Sequence, residues 1–415
     1  MILLCRQKIR RNKLLVCFIL VSILVIWMVI YVQRVADAIR CSEKDSLNII
    51  STTCKWYNEG YVVGSLCPLL CGDEKKVHYK HCINYKSGKT VLITTCRDAC
   101  EPEITIPAIL KSRFPDIDDF TNRFLGGSRD SFSSISSLRS MLLDTIWTNL
   151  GINMNKTEDI IKTIFEEDYT QYIKTSDQRN YQALAITVWS LAQQQEYLIT
   201  KLNQDNALFP KIYHTCGSIY LMESSPPGDI LDPALLPWKS KKILWKDRAV
   251  TALKLLDAMS IMESGFHQTL HMCDLKGENF GVGMDGVIKL IDTDSVFFHD
   301  QLAKELITTE SCRKHSDCNF WDCHGVCGND GKCKKERLNN NLQSLCEDVF
   351  SSSYPAYNNG LLNSPPKSIA TDLIATLKEC VRPQGQDEKT TKVIYHRLYK
   401  LLQSSLADSF NYWKR

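Results

Sequence analysis

Several things are scarce in this sequence. It has no dominant charge: 50 Lys and Arg stand against 47 Asp and Glu, a net of +3. No basic stretch is interleaved with aromatics, so nothing argues for a nucleic-acid partner. There is no internal repeat of fixed period, which removes solenoids and propellers from consideration. Glycine-rich phosphate loops are also missing in their full form, since Gly60, Gly64, Gly72 and Gly88 are scattered singly. A Ca²⁺ loop fails as well. Asp116, Asp118 and Asp119 begin one, but no Gly follows at the sixth position and no Glu at the twelfth, and Asp177–Leu184 does no better. No Ca²⁺ site is therefore expected.

What is present begins with the N-terminus. Met1–Lys13 carries Arg6, Lys8, Arg10, Arg11 and Lys13 with no acid, and Leu14–Val32 follows as 19 residues with only Ser22 as a polar interruption. That length crosses a bilayer as a helix, and the basic flank puts residues 1–13 in the cytosol. The reading is an uncleaved signal anchor over 14–32, a single-pass type II protein whose C-terminal part is lumenal. A cleaved signal peptide is the alternative, but its apolar region is usually shorter and ends in small residues. The Arg10-Arg11 pair fits an ER-retention signal. Of 18 Cys, 16 lie beyond the apolar run, an even number, which suits disulfides in an oxidising lumen. Asn155-Lys156-Thr157 is a glycosylation sequon usable there. About 375 residues remain past the run, enough for one large two-lobed domain with insertions or for two domains.

The chemistry concentrates in Leu270–Phe298, LHMCDLKGENFGVGMDGVIKLIDTDSVFF. Asp274, Lys276 and Asn279 stand in the order D-x-K-x-x-N. A hairpin-like segment with Met284-Asp285-Gly286 at its turn follows, then the apolar run Val287–Ile291 ending in Asp292. Two carboxylates, an ammonium and an amide at this spacing suit phosphate and a divalent metal. Asp274 can orient a hydroxyl nucleophile, Lys276 can neutralise a transferring phosphoryl group, and Asn279 and Asp292 offer hard oxygen ligands to Mg²⁺ or Mn²⁺. The bland alternative is a polar turn between two buried strands. The stretch resembles the catalytic and metal-binding loops of a protein kinase, with Met272-Cys273-Asp274 for H-R-D and Asp292-Thr293-Asp294 for D-F-G.

Other segments fit that resemblance in order. Cys41–Cys100 is cysteine-dense with short β-like runs, and Tyr85–Val91 with Gly88 is the best candidate for a loop over the phosphates. Ile104–Ser112 reads as a strand carrying Lys111, matching the lysine that holds α- and β-phosphates; a surface Lys at a strand end is the plainer reading. Residues 113–180 are polar and irregular and read as an insertion. Tyr181–Leu202 has helical spacing and carries Glu196, the candidate partner of Lys111, against a solvated helix Glu. Ser224–Lys242 is a Pro- and Ser-rich lobe crossing. Lys246–Phe266 is a helix with an apolar stripe that runs into the D-x-K-x-x-N loop.

Past Asp292, Cys312, Cys318, Cys323, Cys327 and Cys333 crowd together, with Cys346 beyond, and CHGVCGNDGKC resembles half an EGF-like module. Disulfides are favoured over Zn²⁺ held with His315 and His324. Such bridges staple what is the activation segment in a kinase. Asp348, in Cys346–Ser351, resembles the acid that braces the kinase catalytic loop, against a plain helix acid. Ser368–Cys380 and Thr390–Leu406 are amphipathic helices that complete a helical lobe.

Together these features resemble the divergent protein kinase domain 1 family of cysteine-rich ER membrane proteins. The resemblance implies an α+β bilobal fold: a β-rich lobe over 41–223 with the insertion 113–180, and a helical lobe over 224–415 with the insertion 312–346, preceded by one transmembrane helix. It implies ATP with Mg²⁺ or Mn²⁺ if active, and a lumenal protein or glycan acceptor. There is no clear A-P-E. Two other readings stand beside the active kinase. One is a pseudokinase scaffold, favoured by the weak glycine loop and altered D-F-G. The other is a disulfide-stabilised interaction module without catalysis.

Overall fold

The structure, a computed structural model, describes residues 27–28, 43–84, 89–112, 134–154, 159–165, 168–174, 178–226, 230, 244–307, 311–351, 360–383 and 388–412. The chain opens with helices α1 (Glu43–Asn58) and α2 (Leu66–Cys71), then strands β1 (Val77–Asn84), β2 (Thr90–Arg97) and β3 (Thr105–Ser112). Helices α3 (Ile135–Leu150), α4 (Ile160–Phe165), α5 (Thr170–Ile173), α6 (Gln178–Ala192) and α7 (Gln195–Leu202) follow, then β4 (Ile212–Cys216) and β5 (Ile219–Glu223). The strands form one antiparallel sheet in the order β1-β2-β3-β5-β4. Period-two alternation sends Ile106, Ala108 and Leu110 to one face, where they pack with Ile49, Leu66 and Leu70 of the cysteine-rich helices. Lys111 leaves by the other face.

Three disulfides tie this half together: Cys54–Cys71, Cys67–Cys216 and Cys96–Cys100. Cys82 is disulfide-bonded too. The second bridge fastens α2 to β4 across 149 residues of chain.

The second half begins with α8 (Trp245–Ser264), β6 (Leu270–Met272), a 3₁₀ turn (Gly277–Asn279), β7 (Phe280–Val282), β8 (Ile288–Leu290) and β9 (Val296–Phe298). Then come α9 (His299–Glu305), β10 (Gly325–Cys327), β11 (Cys333–Arg337), α10 (Asn341–Ser344) running into a π turn (Leu345–Phe350), α11 (Ala370–Val381) and α12 (Glu388–Tyr412). β7 and β8 make the expected hairpin, with Gly286 at φ 75° in its turn. The hairpin is held beneath β5. Val282 N–H donates to Pro226 O at 2.8 Å, and a Cβ on Gly281 would lie 2.0 Å from Ser225 O, so only glycine fits there.

Two expectations need correction. The first is the transmembrane helix. Among the described residues, no helix is long and apolar enough to cross a membrane. The longest, α12 and α8, carry charged residues along their length (Lys392, Arg397 and Lys400 in α12; Asp247, Arg248 and Asp257 in α8) and pack on each other. Of the run 14–32, only Trp27 and Met28 are described, as exposed helical residues.

The second is the irregular insertion. Within 113–180, α3 buries Leu138, Leu142, Ile146 and Leu150 against α4 and α6, in the same core as Tyr197 and Phe209. It is a structural part of the first half. Ser134 caps α3 by accepting from Ser137 N, and Gly151 closes it in the left-handed region. The acids 116–119 and the sequon Asn155 lie outside the described residues, as does Gly88.

Candidate active site

The strand, helix and hairpin elements converge on one group of charges. Lys111 Nζ, on β3, lies 2.5 Å from Glu196 Oε1 and donates to Ile291 O at 2.5 Å. Glu196 stands in the first turn of α7. It is there because the expected helix 181–202 breaks at Gln194, whose side chain donates to Ser190 O and Ser218 O and reorients the chain. Burial pushes the Glu196 carboxyl up, but Lys111 and Lys89 outweigh it and hold it down at about 2. Tyr220 of β5 also hydrogen-bonds Glu196, and burial and that carboxylate push its hydroxyl well up.

Asp292 and Asp294 follow β8. With Glu196 they bring carboxylate oxygens within 4.8 Å of one another. An all-oxygen, anionic set of this size fits a hard divalent cation. Lys89, at the start of β2, reaches the same oxygens: 2.8 Å to Glu196 Oε2, 2.8 Å to Asp292 Oδ1 and 3.1 Å to Asp294 Oδ2. Burial opposes the Lys89 charge, yet Glu196, Asp294 and Asp292 raise its pKa far above the ordinary lysine value. Burial, then Glu196, raises Asp294 despite Lys89.

Asp274 lies in the loop after β6. Lys276 Nζ pairs with Asp274 Oδ2 at 2.8 Å, and Asn279 Nδ2 donates to Asp274 O at 2.7 Å and Oδ2 at 3.1 Å. Burial lowers and the Asp274 bond raises the Lys276 pKa, with a net rise. Asn279, buried in the 3₁₀ turn, thus spends its amide N–H on Asp274, which leaves its carbonyl oxygen as the ligand atom. Asn279 O accepts from Ile291 N at 3.0 Å, tying the loop to the Asp292 segment.

The support of that loop differs from expectation. Asp348 lies in the π turn, and its carboxyl makes no side-chain hydrogen bond among the described residues. The cysteine-rich insertion braces the loop instead. Cys273 is bonded to Cys323, Asp322 N–H donates to Cys273 O at 2.9 Å, and Asp322 Oδ2 accepts from Leu275 N at 2.8 Å. The two residues flanking Asp274 are therefore clamped by one dipeptide. Asn339 Nδ2 holds Asp322 O at 2.7 Å. Asn341 accepts from Met272 N and donates to Leu270 O, and Arg337 donates to Asn341, Asn339 and His271.

The other expected bridging cysteines pair as Cys312–Cys327, Cys318–Cys333 and Cys346–Cys380. The Cys312, Cys318 and Cys333 sulfurs are thus committed to covalent bonds, and a Zn²⁺ site there is excluded. Asp294 was expected only as a possible second carboxylate beside the metal, and Lys89 and Asp322 were not among the expected site residues. Lys89 and Asp294 lay inside quoted motifs, while nothing local marks Asp322.

Two groups behind the loop, buried His271 and half-buried Asp348, give opposite pH dependences. Burial, then Arg337, pushes His271 down to about 3; burial, then Asp322 and Glu347, pushes Asp348 up to about 7. His271 contributes stability above the unfolded histidine value, lost as pH falls toward 3. Asp348 contributes stability below the unfolded aspartate value, lost as pH rises through 7. Melting temperatures measured from about pH 5 to about pH 8 are expected to separate them. Asp348→Asn gains most at the alkaline end, and His271→Asn flattens the acid-side loss. PH-independent offsets in both variants would contradict this.

Two family models match the chain. One described as "N-term cysteine-rich ER, FAM69" covers residues 5–166, and one described as "Protein-kinase domain of FAM69" covers residues 188–383. The second spans Glu196, Asp274, Asn279 and Asp292, and the first spans Lys89 and Lys111. With both halves matched in order around one charge cluster, the chain belongs to the FAM69 divergent protein kinase family.

Proposed function

We propose that this protein is a lumenal phosphotransferase of the ER that uses ATP with Mg²⁺ or Mn²⁺ and passes the γ-phosphoryl group to a hydroxyl of a secretory-pathway protein or glycan. The observation that carries this is Lys111. It binds Glu196 and, through Ile291 O, the residue next to Asp292, so one ammonium joins the sheet, α7 and the acidic segment. The seven disulfides defined among the described residues support a lumenal position, because such bridges persist in oxidising compartments.

In this reading Asp292, Asp294 and Asn279 hold the metal, which neutralises phosphate charge when bound. Lys111, fixed by Glu196, binds the α- and β-phosphates. Asp274 orients the acceptor hydroxyl and takes its proton, and Lys276 steadies the γ-phosphate. Positioning and electrostatics supply most of such catalysis, so groups held on rigid elements are what the chemistry needs. The altered D-F-G supports a second reading, nucleotide binding without transfer: Thr293 fills the Phe position and is fully buried, its hydroxyl without a partner.

Adding ATP with Mn²⁺ or Mg²⁺ is expected to raise the melting temperature of the full-length chain by several degrees, the size of shift that binding well above Kd produces. Asp292→Ala should abolish the rise. No rise with either metal, in a protein that melts cooperatively, would overturn both nucleotide readings. Transfer from labelled ATP separates them.

A further inference from the structure

We infer that Lys89 is a tethered counter-cation that holds the place of the divalent metal and must leave it for the metal to bind. The inference rests on the nucleotide and metal reading above and adds a control step to it.

The geometry is unusual for an ordinary ion pair. One ammonium lies within 3.1 Å of three carboxylates from two separate segments, Glu196 of α7 and Asp292 and Asp294 after β8. Its side chain is only 14% exposed. Glu196 does not need it, since Lys111 already holds the other carboxylate oxygen at 2.5 Å. Three carboxylates at −3 with Lys89 and Lys111 at +2 leave a formal −1. Without Lys89 the set is at −2, matched to one divalent ion.

The oxygens Lys89 touches are those of the cluster that fits a cation, all within 4.8 Å. An ammonium and a divalent ion cannot share them, both because of their size and because like charges at that separation repel strongly in a partly buried site. Tyr220, Lys111 and Ile291 O pack around the cluster, and the first and last engage Glu196 and Lys111, not Lys89. Lys89 also lies within the segment Tyr85–Val91 read as the phosphate loop. The acidic set is thereby kept paired, and the two halves joined, until a divalent cation displaces the ammonium.

The test is Mn²⁺ alone, titrated into the full-length chain, with free Mn²⁺ followed by electron paramagnetic resonance. Lys89→Met is expected to bind Mn²⁺ at least tenfold more tightly than the natural protein. Lys89→Arg, which keeps the charge, should stay as weak as the natural protein, and Lys89→Gln should behave as Lys89→Met if the latter fails to fold. Adding Asp292→Ala should remove the gain. If Mn²⁺ binds and Asp292→Ala abolishes it, but Lys89→Met and Lys89→Gln bind no more tightly than the natural protein, the place-holder role is overturned and the metal reading stands. If no variant that melts cooperatively binds Mn²⁺, both fall.

Discussion

Replacing Cys273 and Cys323 together by serine should unfold the support of the Asp274 loop and abolish the thermal shift proposed for ATP with Mn²⁺. The bridge closes a loop of 50 residues, and the chain-entropy argument puts its loss at about 4 kcal/mol. Stability alone does not identify its role. Cys318–Cys333 closes 15 residues, and removing it should cost about 3 kcal/mol by the same argument. The two differ in where they act. Cys273 immediately precedes Asp274, and Asp322, next to Cys323, holds the N–H of Leu275 on the other side. Cutting Cys318–Cys333 loosens the insertion at a distance and should leave the ATP and Mn²⁺ shift in place at a lower baseline temperature. Cutting Cys273–Cys323 should lower the baseline and remove the proposed transfer, because the bridge and Asp322 fix the residues on both sides of Asp274.

Asp322→Ala is the finer variant. It keeps the disulfide and deletes one charge-assisted bond to Leu275 N–H, so the proposed phosphate transfer should fall through kcat with little change in the KM for ATP. Equal losses from the two disulfide deletions would show that the insertion stabilises the fold without positioning the loop.

Where the sequence could be read, it was because residue type and spacing were both local. Asp274, Lys276 and Asn279 sit within six positions of one another, and Asp292 ends an apolar run that must be a strand. The structure brings Asp274, Lys276 and Asn279 into direct contact, and Lys111 onto Glu196. Glu196 was found in spite of a helix drawn too long, since its identity as a carboxylate near a strand-borne lysine mattered more than the break at Gln194.

The brace was not legible. Asp322, Asn339 and Asn341 lie about 50 to 70 residues from the loop they hold, and only disulfide connectivity, which spacing does not determine, places them there. The neighbours of Asp348 resemble a familiar motif, but its half-buried carboxyl lies near Asp322 and Glu347 and is pushed up to about 7, an environment that favours a neutral acid. The helical character of 135–150 was available: Leu138, Leu142, Ile146 and Leu150 recur at i, i+4. Serines before them masked it, and Ser134 turns out to be the cap.

Glu196→Ala should be among the most damaging single substitutions in this chain. It removes one carboxylate from two lysines at once, Lys111 at 2.5 Å and Lys89 at 2.8 Å, inside a site where Lys111 is 6% exposed. Breaking a buried pair by removing one partner costs about 3–5 kcal/mol, since the remaining charge is left without compensation. Among the described residues Lys111 keeps only the Ile291 carbonyl, whereas Lys89 keeps Asp292 and Asp294. Lys111→Met should therefore be milder, because Glu196 then retains Lys89. That asymmetry is the test: urea midpoints should rank the natural protein above Lys111→Met and Lys111→Met above Glu196→Ala, while both variants lose the ATP-dependent shift.

The pH dependence follows the same charges. Glu196 titrates at about 2 in the folded chain against an ordinary value of 4.5, so its contribution is complete above 4.5 and is lost as pH falls through 2. The gap between the natural protein and Glu196→Ala should narrow on acidification through that window. A Lys111→Met variant as unstable as Glu196→Ala would mean that Lys89 does not hold the Glu196 carboxylate, and the three-carboxylate cluster would have to be redrawn around Lys111 alone.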